Sequence, residues 1–269
     1  MCNFLSGLVL RNGDILTHPM LDGHADLVTH FNLPDTDAYV QHFAKVELRP
    51  VDWGDVATWE WHLDEQAAPS WWDDVAGGAE AELRARAARM ILREGEHRLI
   101  VDGSWIVLGT AVVRDVRAGR ILHVQDSAQI HDVQDSAQIH DVRDSAQIHD
   151  VWGHAQIHGV WGHAQIHDVE DSAQIHDVRD SARIHGVWGR AQIRGVQDSA
   201  QIHDVWGHAR IHGVWGHAQI HDVWGRAQIH GVQDSAQIYG VEDSAQIYGV
   251  GGRAQLDASA KAHVVKTDA

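Results

Sequence analysis

Val124-Gln125-Asp126-Ser127-Ala128-Gln129-Ile130-His131-Asp132 is followed at once by Val133-Gln134-Asp135-Ser136-Ala137-Gln138-Ile139-His140-Asp141. Fifteen such copies run without a gap to about Asp257, each with an Ala four residues after its Val, from Ala128 to Ala254. The unit reads V-x-(D/G)-(S/H/R)-A-Q-I-H-(D/G). Alternation along A-Q-I-H puts Ala and Ile on one side of a short strand and Gln and His on the other. The Val, beyond an Asp or Gly turn position, is expected to face inward as well. A nine-residue piece buries nothing alone, so copies must stack. Recurrent Gly, Asp and β-branched residues at so short a period exclude a helical solenoid. The array is therefore read as a β-solenoid.

Two units make an 18-residue coil with two strands and two turns; three would make 27. Ala is too small to fill a wide triangular interior at normal packing density, which favours two. Seven or eight coils at ~4.8 Å each give a rod about 35 Å long. Two cassettes alternate: when x is Gln, Arg or Glu the next residues are Asp-Ser, and when x is Trp they are Gly-His or Gly-Arg. Asp-Ser is expected to bond its own backbone, and Gly to leave room for the Trp. With 18 residues per coil, Trp152, Trp188, Trp206 and Trp224 share one edge, interrupted by Glu170, and Trp161 and Trp215 share the other. With 27, the stack is Trp161, Trp188 and Trp215.

Outside the array the chain divides into residues 1–98, an α+β capping domain; 99–123, irregular entry coils; and 258–269, a C-terminal cap and polar tail. All four prolines (Pro19, Pro34, Pro50 and Pro69) lie in the first segment. Asn12-Gly13 between two apolar runs predicts a hairpin. Asp22 is placed to cap a short helix carrying Leu27 and Val28. FAKVELRPV and VATWEWHLD read as strands, and Ser70 as the N-cap of SWWDDV. A helix is expected after Gly77-Gly78, ending at Gly95. Between Val116 and Val124 the spacing is eight rather than nine, an irregular entry turn.

The charge balance narrows the function classes. A formal charge of −17 argues against direct binding to nucleic acid or anionic lipid. No apolar run approaches the ~20 residues that span a bilayer, and the start carries no secretory signal pattern, so a cytoplasmic location is expected. The single cysteine, Cys2, allows no internal disulfide.

Sixteen of the 23 histidines lie between His123 and His230, in ladders such as His131, His149, His167, His185, His203 and His221. A uniform row lacks the mixed ligands and supporting shell of a metal site, so no metal or cofactor is expected. The Gln row is expected to form amide ladders. The units do not match the glycine-rich calcium β-roll pattern, nor the six-residue rhythm of hexapeptide acyltransferases. HPMLDGHADLVTH gathers His18, Asp22, His24, Asp26 and His30, a weak metal signal beside a helix start. Residues 123–257 hold 18 Asp or Glu against 8 Arg, a net of −10. In architecture and charge this resembles the pentapeptide-repeat rods that imitate DNA and bind topoisomerases, without their five-residue period. Removal of Met1 would leave Cys2 N-terminal, similar to the nucleophile of class II glutamine amidotransferases and SRAP DNA-crosslinking proteins, although Asn3 replaces the usual glycine.

MCNFLSGLVLRNGDILTHPM, a compact α/β region and then SAQIHDV/WGHAQIH repeats resemble a group of bacterial and phage proteins of unknown function with an MCNF-type start and SAQI-type arrays. The resemblance covers most of the chain and implies no activity or site residues. The reading is of a non-enzymatic interaction scaffold that meets a protein partner through Trp152, Trp188, Trp206 and Trp224. A glycan on the same row, an acidic DNA mimic and an enzyme using Cys2 are the alternatives.

Overall fold

The computed structural model describes residues 5–18, 20–21, 23–34, 42–259 and 262–266. The chain splits into two compact units, Met1–Leu92 and Arg93–Ala269. Among the described residues no helix is long and apolar enough to cross a membrane.

The first unit holds a four-stranded antiparallel sheet in the order β2-β1-β3-β4, formed by β1 (Leu5–Leu10), β2 (Ile15–Leu16), β3 (Phe43–Arg49) and β4 (Glu60–Leu63). The Asn12-Gly13 hairpin joins β1 to β2, with Val9 opposite Ile15 and Gly13 at φ +89°. Helix α1 (His24–His30) buries Leu27 and Val28 with Leu8 and Phe43. Its N-cap is Gly23, without a side-chain bond; Asp22, the expected cap, lies outside the described residues. VATWEWHLD is a strand only from Glu60, because Val56–Thr58 form a 3-10 turn capped by Asp55.

Helix α2 (Trp72–Arg89) runs straight through Gly77 and Gly78 and ends before Gly95. Ser70 does not cap it; Trp71 takes that position. The glycines are carried because a longer helix gains outside contacts. Arg84 bonds the Val56 and Trp59 carbonyls. Glu80–Arg84 and Glu82–Arg86 pairs along the helix add support.

The second unit is a parallel β-solenoid. Its strands are five residues long in most units, as in Gln129–Val133 and Gln138–Val142. Alternate units pair in register: Gln129 opposite Gln147 and Ile130 opposite Ile148 on one sheet, Gln138 opposite Gln156 on the other. Each coil is thus two units and 18 residues, and the 27-residue coil is excluded. The eight-residue spacing before Val124 shortens one coil, so that Gln129 pairs with Val112. Ala, Ile and Val of every unit from Ala128 to Ile247 have zero exposure. The wall between the sheets is filled by these three letters alone.

The turns are held by backbone geometry rather than by local side-chain bonds. The residue after x is left-handed throughout, at φ between 54° and 61° for Asp171 through Asp126 and between 64° and 74° for Gly189 through Gly207. Asp and Gly are the residues that tolerate this region, so the two cassettes are two solutions to one turn. The Asp carboxylates reach the neighbouring coil instead of their own backbone: Asp180 accepts from the Gly162 N–H at 3.0 Å and Asp234 from the Gly216 N–H at 3.2 Å. At the C-terminal end the register slips between Ile238 and Val241 and between Tyr248 and Val250.

Candidate binding edge

The outward Gln and His positions stack as the 18-residue coil requires. His131, His149, His167, His185, His203 and His221 form one column, with ring centroids 4.7 Å apart at the start and 5.2 Å at His203–His221. Tyr239 continues it at 4.9 Å. Burial between rungs, and then the neighbouring imidazoles, push His149 and His203 below the ordinary histidine value. Gln219 donates to Gln237 at 3.2 Å and Gln228 to Gln246 at 2.9 Å, so the amide ladder forms in the later coils.

The entry coil holds an unusual histidine. His123 occupies the position that Asp141 fills one coil later and is only 5% exposed. Its Nδ1 lies 3.4 Å from the Asp141 carboxylate, but Arg143 holds that group more closely, at 2.7 Å. Burial, with Arg143 second, therefore prevails, and His123 is pushed down to about 3.

In the first unit His24 sits apart from the other residues of HPMLDGHADLVTH. Its Nδ1 faces Asp64 at 3.0 Å and its Nε2 the Val46 carbonyl at 3.0 Å. Glu47 is near, within the same cluster of donor atoms, but is held by Arg49 at 2.6 Å. His18 accepts the Met20 N–H on its Nδ1 at 3.1 Å and meets the His30 ring at 4.6 Å. The arrangement fastens α1 to the sheet. Cys2 lies outside the described residues.

The tryptophans take the two edges. On the first edge, Trp188 and Trp206 meet at 5.1 Å with planes at 72°, and Trp206 and Trp224 at 6.0 Å with planes at 36°. Trp206 and Trp224 are 38% and 46% exposed, whereas Trp152 and Trp188 are half-buried. On the second edge the half-buried Trp161 ring lies under the Arg143 guanidinium at 4.5 Å.

At Trp161 and Trp215 the last letter of the preceding unit bears on how the indole lies. Gly159 and Gly213 stand two residues before Trp161 and Trp215, and a Cβ on either would fall 2.5 Å from an indole atom. These rings fold down over the glycine, and Trp161 Nε1 is buried without an acceptor. Trp206 and Trp224 follow Asp204 and Asp222 and are exposed, whereas Trp188 follows Gly186, where the space is met by the Asp168 carboxylate and not by the indole. Trp152 follows Asp150 and is nonetheless half-buried.

Beside the exposed row runs a groove of ≈ 810 Å³ lined by His154, Glu170, Asp171, Trp188, Arg190 and Trp206 among others. Next to it a carboxylate column climbs the same sheet, Asp132 opposite Asp150 and Asp150 opposite Asp168. Oxygens of Asp150, Asp168 and Glu170 all lie within 4.8 Å of one another. Burial, and then mutual repulsion, raise Asp132, Asp168 and Glu170 above the ordinary carboxylate range. Sequence reasoning named the tryptophans but missed these acids. The signal was present in the final D/G letter, once every second unit is read together. Comparison with family models, with curated proteins and with solved structures finds no match.

Proposed function

We propose that the chain is a non-enzymatic interaction scaffold that recognises a protein partner through the edge bearing Trp152, Trp188, Trp206 and Trp224. The observation that carries this reading is the exposed pair Trp206 and Trp224, in a row with Trp188 on a rigid stack of strands. Exposed indoles that become buried on association dominate interface energetics, and a repeat scaffold fixes them at no ordering cost. Planes crossing at 72° and 36° offer clefts for side chains rather than one flat platform for a sugar ring. The test is affinity capture by the full chain against Trp206→Ala and Trp224→Ala variants. Partners that engage this edge are retained by the first and lost from the variants, and equal retention overturns the reading.

A second reading, an acidic DNA mimic acting on a DNA-binding protein such as a topoisomerase, is favoured by the Asp132–Asp150–Asp168 column, one carboxylate per coil. It requires inhibition of supercoiling that is strong at low salt and fades as salt rises.

A further inference from the structure

The edge that carries the exposed tryptophans also carries a cluster of carboxylates without a counter-ion. Asp150, Asp168 and Glu170 crowd within 4.8 Å, and among the described residues no Arg or Lys forms an ion pair with any of them. Elsewhere on the rod acids of the same unit position are paired: Asp141 with Arg143 at 2.7 Å, Asp177 with Arg179 at 3.1 Å. There the x residue that follows two positions later is Arg. At the cluster the x residues that follow Asp150 and Asp168 are Trp152 and Glu170, so the intramolecular cation is replaced by an indole and one more acid.

The opposite edge shows what an x-position Trp does when a guanidinium is within reach. Arg143 lies over the Trp161 ring at 4.5 Å, one coil away, while its other contact is Asp141. One cation there serves an indole and a carboxylate together. On the Trp188–Trp206–Trp224 edge both acceptors are present, and among the described residues neither Arg190 nor Arg226, which lie on that edge, stacks on an indole or pairs with the cluster. Arg190 lines the groove, but it also lines the adjoining depression with Gln192 and Arg210.

We propose that the edge formed by Asp150, Asp168, Glu170, Trp188, Trp206 and Trp224 receives an extended, arginine-bearing segment of a partner protein. Its guanidinium groups stack on the indoles and pair with the carboxylates. This rests on the Trp-edge reading above and supplies the partner's chemistry. Charge complementarity supports it, since the rod carries a net of −10 over residues 123–257, 18 acids against 8 Arg. A planar guanidinium both stacks and forks to carboxylates, which an ammonium does less well.

The test uses the full chain and a short peptide alternating Arg and Ser, followed by calorimetry and tryptophan quenching at low and near-physiological salt. Peptides with Lys or Glu for Arg are run beside it. Binding of the Arg peptide is expected, with Trp206→Ala and the pair Asp168→Asn/Glu170→Gln each weakening it at least about tenfold. The pair Asp144→Asn/Asp198→Asn removes the same charge from the other edge and keeps residues that tolerate a left-handed turn, so affinity is expected to hold within about twofold. Circular dichroism checks that each variant stays folded. Equal loss in both charge pairs would show a diffuse field and overturn the proposal, as would equal binding of the Lys peptide or indifference to Trp206→Ala. Displacement of the peptide by calcium at constant ionic strength, with calcium retained by Trp206→Ala, would make the cluster a metal site and overturn it too. If no Arg peptide binds while Trp206→Ala still loses captured partners, the basic-segment proposal fails and the Trp-edge reading stands.

Discussion

Gly159→Ala separates a glycine kept for its backbone from one kept for its neighbour. Gly159 is not in the left-handed region, and Asp141 and Asp177 occupy the same position in the adjoining strands. A Cβ is therefore compatible with the sheet. It is incompatible with the Trp161 ring, since it would lie 2.5 Å from Nε1 and 2.8 Å from Cε2. Contact requires about 3.5 Å, so the indole must swing out by about 1 Å or more. If its exposure rises to that of Trp224, about a quarter of a ~200 Å² side chain returns to water, which costs about 1.3 kcal/mol at ~25 cal/mol per Å². Loss of the Arg143 contact adds about 0.5–1 kcal/mol. The lower entropy of an unfolded chain with Ala offsets about 0.5 kcal/mol. The expected net destabilisation is about 1–2 kcal/mol.

The assay is a double-mutant cycle with Trp161→Gln, because Gln fills the same position as Gln125 and Gln197 in other units. In the native background Gly159→Ala should lower stability by that amount and increase acrylamide quenching of tryptophan emission. In the Trp161→Gln background the penalty should shrink to within about 0.5 kcal/mol of zero. An equal penalty in both backgrounds would mean that the glycine serves the strand, and that the last letter of a unit does not set the pose of the following Trp.

His123 predicts a pH dependence. Its folded value, about 3, lies below the ordinary 6.5, so the folded state holds it neutral; the stability is present above pH 6.5 and is lost as pH falls toward 3. Between pH 7 and 5 the loss is about 2 kcal/mol from this group; His149, His176, His203 and His230, also lowered, act in the same direction. Denaturant titrations should show His123→Asn with a flatter profile over that range, and an unchanged slope would refute the assignment. At the left-handed turn residue Asp198, with φ +57°, Asp198→Gly should be tolerated within about 0.5 kcal/mol while Asp198→Ala costs about 1–2 kcal/mol in thermal melts. Deleting residues 171–179 moves Trp188, Trp206 and Trp224 to the opposite edge, away from Glu170, whereas deleting 125–142 removes one whole coil and leaves the row intact. Both should keep a β-rich spectrum, and only the nine-residue deletion should abolish capture of an edge-bound partner.

The solenoid was legible because its core needs so few letters. Ala128, Ile130 and Val133 announce the inward face by spacing alone, and the small Ala decides between two and three units per coil. The turn was harder to read. Asp126 and Gly153 look like different designs in the sequence, yet share one left-handed conformation. Local pattern favours an Asp bonding its own loop, whereas the neighbouring coil offers a backbone N–H that only stacking brings into reach. In the first unit, local signals were overruled by packing: Gly77 and Gly78 read as a break, but α2 continues because its Arg84 and Arg86 reach backbone carbonyls of Val56, Trp59 and Ile15. The carboxylate cluster was invisible in a nine-residue reading because Asp150 and Asp168 meet only across 18 residues.

That difference in period locates the information in the rod. A core built from repeated Ala, Ile and Val at zero exposure admits no larger side chain at any rung. The turn after x admits Asp or Gly. What remains free is the x position and the last letter of the unit, and these act together. Arg at x neutralises the Asp two residues before it, as at Asp141–Arg143 and Asp177–Arg179. Trp at x lies flat after Gly159 or Gly213 and stands exposed after Asp204 or Asp222. Because each position recurs on the same edge only every second unit, each edge carries its own series of these pairs. The Asp168–Glu170 and Asp204–Trp206 combinations place uncompensated charge and exposed indole on one edge, while Arg143 and Arg179 quench the charge on the other. On the proposed reading, an edge so composed would discriminate between partners by charge and stacking without any change to the core that supports it.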